Sequence, residues 1–147
     1  MPMLRRLALV FVCVLCISAC GSSDSPEKQV RRAIDAMEKA AEARDVGDEI
    51  HEVAEDFRDE LGQDRNQLRQ YLQGYFIANQ SIHLLTRIDE LELPNPDEAL
   101  VRLTIGMVGR EADAANAWNL AADVQDFEIT LRKADDDWKV QYAKRGR

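Results

Sequence analysis

Cysteine is nearly absent from this chain, because its only three copies, Cys13, Cys16 and Cys20, all precede residue 21. Residues 21–147 therefore contain no thiol that could form a disulfide, ligate a metal or act as a nucleophile. A domain without disulfides must be stabilised by its hydrophobic core. A domain of about 120 residues buries roughly two-thirds of its unfolded surface, which is enough for such a core.

Positive charge is also scarce, since 19 Lys and Arg face 27 Asp and Glu and the net charge is −8. An acidic surface repels nucleic acid and anionic lipid headgroups, so we expect no nucleic-acid partner. The basic residues that gather near the end form either a docking patch for an acidic partner or the solvated face of the last strands. They are Arg132, Lys133, Lys139, Lys144, Arg145 and Arg147.

Long apolar runs are missing except for Leu7 to Leu15, which follows Arg5 and Arg6. This run is too short for a membrane span, which takes about 20 apolar residues, but it fits the core of an export signal. The tetrad from Ile17 to Cys20 resembles the lipobox of bacterial lipoproteins. The alternative is an ordinary cleaved secretory signal that happens to contain a cysteine.

The lipobox resemblance implies that the leader is removed and that Cys20 becomes the lipid attachment site. Residues 1–19 are then the signal peptide, 20–25 a lipidated tether and 26–147 the folded domain. Several acyl chains anchor a protein stably, whereas one holds it only marginally. If the host is Gram-negative, Gly21 rather than Asp after the cysteine implies the outer membrane. We therefore expect a lipid-anchored protein of the cell envelope on the periplasmic face, with the membrane as its first partner.

The apolar spacing after residue 25 predicts three helices. Ser25 and Pro26 form a helix start, with serine as the cap and proline at the first helical position. A second apolar stripe predicts a helix to about Glu60, and Asp64 with Gln67 forms a capping box for a third helix. All three helices bury one face.

From residue 80 the pattern alternates and predicts strands at 81–93, 98–109, 124–134 and 137–144. Pro94 to Asp97 and the pair Asp135 and Asp136 are expected to be turns. In the last strand, Trp138, Val140 and Tyr142 are predicted to share the apolar face. Residues 110–122 leave the shape of the connection open. The fold class is therefore α+β, with three N-terminal helices packed on a curved antiparallel sheet of about four strands.

This order of helices and strands resembles the nuclear transport factor 2-like family, also called the cystatin-like cone. The resemblance covers about residues 27–145 and is carried by 56–59, 62–65, 75–76, 82–85, 127–133 and 138–140. It implies a cone with a pocket, in which enzymatic members place an acid or an acid-histidine pair. It also implies a homodimer that pairs through the sheet face. The fold hosts both enzymes and binding modules, so it does not select a function.

Two histidines are the candidate catalytic or metal-binding groups. His83 is predicted on the first strand, on the same face as Arg87, where it acts as a general base or simply packs at the sheet surface. His51 does not belong to a complete zinc-binding helix, because Glu55 stands where the second histidine is required. We therefore predict no metal and no cofactor.

A set of aromatic and basic side chains is the candidate ligand pocket, with plain core packing as its alternative. The set is Tyr71, Tyr75, His83, Arg87, Trp138 and Tyr142. Two functions remain open. The first is a non-catalytic module that binds a small apolar ligand or an envelope protein. The second is a cofactor-independent isomerase or dehydratase that uses His83.

Overall fold

A computed structural model describes residues 24–108 and 123–146 of the chain. It contains three helices and five strands, in the order α1 Pro26–Ala43, α2 Val46–His51, β1 Val53–Asp59, α3 Arg65–Ala78, β2 Leu84–Asn95, β3 Glu98–Met107, β4 Asp123–Ala134 and β5 Asp137–Arg145. The α+β class with three helices is confirmed. The predicted leader, Cys20 and the connection at 110–122 lie outside the described residues. Within the described residues, no helix has the length and apolar character needed to cross a membrane.

The helix starts follow the sequence signals. Ser25 Oγ accepts a hydrogen bond from Lys28 N at 3.3 Å, and Pro26 is the first residue of α1. Asp64 accepts from Gln67 N at 2.9 Å, while Gln67 Oε1 accepts from Asp64 N at 2.9 Å. This reciprocal capping box satisfies two backbone donors that would otherwise lack partners at the start of α3.

The sheet has five strands in the order β1-β5-β4-β3-β2, so the expectation of about four strands was wrong. Strands β2 to β5 form an antiparallel meander, and β1 pairs in parallel with β5 through Val53 and Val140. The sheet is therefore mixed, not purely antiparallel as predicted. Because β1 and β5 come from opposite halves of the chain, this pairing joins the helical half to the sheet.

The additional strand replaces most of the predicted second helix. Helix α2 ends at His51, and residues 53–59 form β1. The pairing of β1 with β5 shifts between Val53 and Arg58, and the buried residues of β1 are Val53 and Phe57. A spacing of four is also the spacing of a helical stripe, and the irregular pairing removes the alternation that identifies a strand.

A bulge in the last hairpin changes which face Tyr142 occupies. The turn between β4 and β5 has positive φ at both Asp135 (50°) and Asp136 (69°), as two-residue hairpin turns require. Farther along, Leu131 pairs with Val140 but Thr130 pairs with Tyr142, which leaves one extra residue in β5. Tyr142 therefore lies on the opposite face from Val140, and the prediction that both share the apolar face was wrong.

The core lies between the helices and one face of the sheet, here called the inner face. Its buried side chains are Val30, Ile34, Val53, Phe57, Ala99, Val101, Leu103, Ile129, Leu131, Trp138 and Val140. Trp138 is buried under α1, and its indole N–H donates to Gln29 Oε1 at 3.1 Å. The opposite face of β2 to β5 carries polar and charged side chains, and we call it the outer face.

Candidate functional site

The six residues of the predicted pocket do not converge on one cavity. Tyr71 and Tyr75 stack on α3 with ring centroids 6.0 Å apart, whereas Trp138 is buried in the core. Arg87 and Tyr142 lie on the outer face, at different positions along the strands. His83 precedes β2, which begins at Leu84 and not at residue 81 as expected.

His83 lies at the edge of the fold and does not form an acid-histidine pair in the described part of the chain. Its Nε2 is 3.4 Å from Ser81 Oγ, and its backbone carbonyl accepts from Val108 N at 2.9 Å. The nearby carboxylate of Glu42 accepts a hydrogen bond from Leu84 N instead. In the described residues the contact of the imidazole is therefore with a hydroxyl and not with a carboxylate.

An open depression lies on the outer face, where two rows of side chains cross the strands. One row begins with Glu92 and continues with three uncharged residues, Leu100, Thr130 and Tyr142; we call it the neutral row. The other, the charged row, consists of Glu90, Arg102, Glu128 and Lys144. These eight residues line a groove of about 330 Å³, which we call the outer groove. Leu100 and Tyr142 supply its exposed apolar surface.

The charged row alternates in sign across four strands. Arg102 Nη2 lies 2.8 Å from Glu90 Oε2, and Lys144 Nζ lies 2.8 Å from Glu128 Oε2. Opposite charges placed on neighbouring strands attract each other across the sheet. Arg132 and Lys133 from the predicted basic patch are likewise paired, with Glu98 and Asp136.

A buried hydroxyl forms a second polar cluster beside the outer groove. Thr104 is only 6 % exposed, and its Oγ1 lies 2.6 Å from Asp89 Oδ2 and 2.9 Å from Asp126 Oδ1. A hydroxyl has one proton, so it donates to one carboxylate at a time. Hydrogen bonds from Thr104 and then Arg87 lower the pKa of Asp89. This cluster fixes Arg87, because Arg87 Nε donates to Asp89 Oδ1 at 2.7 Å.

A smaller groove of about 240 Å³ lies between α1, the end of α2 and the start of β5. His51 stands at its rim, with Nδ1 3.0 Å from Glu52 Oε1 and 3.2 Å from Lys139 Nζ. The same nitrogen cannot donate to the carboxylate and accept from the ammonium together, so which contact is a hydrogen bond depends on the tautomer of the ring. Among the described residues, no three acidic, histidine or cysteine side chains form a group that could hold a metal ion.

Tyr75 connects α3 to the end of β3. Its hydroxyl lies 3.8 Å from Met107 Sδ, and burial raises its pKa, with smaller contributions from Tyr71 and Asp123. Tyr71 remains 58 % exposed. The two tyrosines therefore form an aromatic patch at one end of the sheet, separate from the outer groove.

Glu49, which was not predicted as a functional residue, has the most strongly shifted pKa among the acids of the described residues. Its Oε2 is buried without a hydrogen-bond partner, and burial, followed by the charge of Glu52, raises its pKa to about 8. The sequence did contain a signal that Glu49 is buried. Glu49 lies three residues after Val46 and four before Val53, which places it on the apolar stripe. The neighbouring acid Asp48 obscures this signal, because the two together are typical of a charged helical face.

The outer groove was missed for a different reason. Sequence alternation identifies polar residues of a sheet surface, but it does not give the pairing register that aligns Glu90, Arg102, Glu128 and Lys144. This row can bind a surface that offers the complementary sequence of charges. The four residues of this row include no nucleophile with an adjacent base.

Comparison with solved structures shows the nuclear transport factor 2-like, or cystatin-like, fold. A candidate scytalone dehydratase from Novosphingobium aromaticivorans has a TM-score of 0.66 at 14% identity, with 81% of each chain covered. An NTF-2 like protein of unknown function from Shewanella oneidensis has a TM-score of 0.61 at 15% identity, covering 83% of this chain and 99% of the other. A cystatin-like protein from Nostoc punctiforme has a TM-score of 0.63 at 16% identity, with 81% and 88% covered.

No protein-family model matches the sequence, and comparison with curated proteins gives no match. The structural similarities are at low sequence identity, so they establish the fold and leave the activity open. The structures that share this fold include both a candidate dehydratase and proteins of unknown function.

Proposed function

We propose that this protein is an envelope lipoprotein, anchored through Cys20, whose cone domain is a non-catalytic module that binds another protein. The alternating charged row of the outer groove carries this proposal. Its ion pairs are half exposed, and a partner that covers them must supply matching charges. A small apolar ligand cannot do so, which favours an envelope protein over the apolar ligand that the sequence left open.

The anchor rests on the lipobox resemblance of residues 17–20, and it is tested first. A Cys20→Ser variant is expected to leave the membrane fraction, whereas the wild-type chain stays in it and carries fatty-acid mass on its first peptide. Release of the wild-type chain into the aqueous phase, or retention of the variant, contradicts the anchor.

The groove is tested by reversing one charge in its row. Arg102→Glu converts the row to three successive acids before Lys144, and its partner is expected to be lost from gentle co-purifications analysed by mass spectrometry. Lys39→Glu is the matched control, because Lys39 is exposed on α1, away from the outer groove. A specific protein retained by both wild type and Lys39→Glu and lost only by Arg102→Glu supports the binding role. The same partners with all three chains contradict it.

A second copy of this chain is one partner whose charges complement those of the charged row. With a twofold axis that lies between the two facing sheets and runs parallel to the strands, Glu90 of one copy faces Lys144 of the other, and Arg102 faces Glu128. Such a self-complementary patch is what a twofold interface requires. Sedimentation of residues 21–147 tests the homodimer, which Arg102→Glu is expected to dissociate.

The alternative function is a cofactor-independent isomerase or dehydratase that uses His83. The similarity to a candidate scytalone dehydratase favours it, whereas the hydroxyl partner of His83 does not. Titration of the His83 ring by nuclear magnetic resonance, with and without partner extract or candidate substrates, distinguishes the two functions. A His83→Ala variant that abolishes a measured turnover would establish the enzyme.

A further inference from the structure

The strands and α1 give the domain two ends that are chemically different. The first, the anchor end, contains Asp24, the β2 to β3 turn at 95–97 and the β4 to β5 turn at 135–137. Lys133 N donates to Asp97 O at 2.9 Å, so the two turns lie side by side. The second, the far end, contains Leu61, the stacked Tyr71 and Tyr75, and the last residues of β3.

Helix α1 connects the two ends. Gln29 in its first turns accepts from Trp138 at the start of β5, and Glu42 in its last turn accepts from Leu84 N at the start of β2. The helix has 18 residues, so at 1.5 Å per residue it separates the ends by about 27 Å. The chain enters the described fold at the anchor end, at Asp24.

The chain between the proposed lipid and the fold is much shorter than α1. Only residues 21–23 separate Cys20 from Asp24. At about 3.5 Å per residue, this stretch reaches at most about 14 Å even when fully extended. The anchor end must therefore lie close to the lipid headgroups.

The charges of the domain oppose a flat arrangement on the bilayer. Without the leader the chain has 17 basic and 27 acidic residues, a net charge of −10. If the domain lay flat, its acidic surface would be within about 8 Å of the anionic headgroups along its whole length. That distance is the Debye length, so the repulsion would be only partly screened. The anchor end is acidic as well, since its turns contain Asp97 and Asp135 to Asp137, although Arg32 pairs with Asp24 and Lys133 with Asp136. The short tether, and not charge, therefore keeps this end at the headgroups.

We propose that the domain stands on the membrane with the turns at 95–97 and 135–137 facing the headgroups and the far end pointing away from them. This orientation rests on the proposed anchor at Cys20. It holds the outer groove between the two ends, open to a partner in the periplasm. It also places the exposed side chains of Leu61, Tyr71 and Ile77 away from the bilayer.

Single labels on the lipidated chain test the orientation, because the processed chain has no cysteine other than the acylated one. Asp136→Cys labels the anchor end and Leu61→Cys the far end, and both positions are highly exposed. Each is labelled with a fluorescent maleimide and bound to vesicles of phosphatidylethanolamine and phosphatidylglycerol that contain a headgroup-labelled energy acceptor. Energy transfer is expected to be several-fold larger from position 136 than from position 61.

A lengthened tether supplies the control. Insertion after Gly21 of about twelve Gly and Ser residues, with a root-mean-square span of about 20 Å, is expected to remove most of the contrast between the labels. Equal transfer with the native tether, or larger transfer from position 61, overturns the orientation while leaving the anchor intact. A contrast unaffected by the insertion overturns the short tether as the cause of the orientation. If the unlabelled wild-type chain does not float with the vesicles, the anchor itself is wrong and the orientation falls with it.

Discussion

Replacement of the buried carboxyl of Glu49 should change how stability depends on pH. Burial raises the pKa of Glu49 from 4.5 to about 8, so the folded chain holds this proton more tightly than the unfolded chain does. The contribution of Glu49 to stability is therefore fully present below pH 4.5 and is lost as pH rises toward 8. Above pH 8 it is constant, because the group is ionised in both states.

The size of this effect follows from the pKa difference. One pKa unit corresponds to 1.36 kcal/mol, so the change from 4.5 to about 8 corresponds to an upper limit of about 5 kcal/mol. Water entry and relaxation around an incompletely buried side chain reduce it, and we expect about 2 to 5 kcal/mol. Glu49→Gln removes the ionisation but keeps the shape of the side chain.

The assay is urea unfolding of residues 21–147 at several pH values between 5 and 9. The free energy of unfolding of Glu49→Gln is expected to rise relative to wild type by about 2 to 5 kcal/mol over this interval. Glu55→Gln is the control, because the Glu55 side chain is 88 % exposed and its pairing with Arg65 should contribute less than about 1 kcal/mol. Parallel curves for wild type and Glu49→Gln would show that burial does not raise the pKa of Glu49.

Two further predictions concern the sheet. Leu131→Ala, at a fully buried position of β4, should destabilise the domain by about 2 to 5 kcal/mol, whereas Leu100→Ala, at a 40 % exposed position of the outer groove, should cost less than about 1 kcal/mol. Denaturant midpoints measure both, and similar losses would mean that the core is wrongly placed. Thr104→Val removes the hydroxyl that lowers the pKa of Asp89, so that pKa should rise in a carboxyl titration by nuclear magnetic resonance. An unchanged Asp89 titration would show that Arg87 alone sets it.

The sequence predicted the elements whose signals are local. Ser25, Pro26 and the capping box of Asp64 and Gln67 act within one helical turn, so they identify the helix starts without tertiary information. The pair Asp135 and Asp136 marks its turn for the same reason. These positions required no knowledge of what packs against them.

The errors fall where distant parts of the chain decide the outcome. Val53 and Phe57 fit a helical stripe, and only the parallel partner β5 makes their segment a strand. Tyr142 follows the alternation of β5 until the bulge opposite Thr130 and Leu131 reverses its face. The register of four strands creates the charged row of the outer groove, and no single segment contains that information.

The pairing of β1 with β5 determines the order in which the parts of the chain can fold. Strands β2 to β4 are neighbours in sequence and can associate as soon as they emerge, but β1 must wait for the final residues. Closure of so long a loop is slow, because its entropy is lost before the contact is gained. The chain therefore completes its core only after the residues of β5 are available to pair with β1.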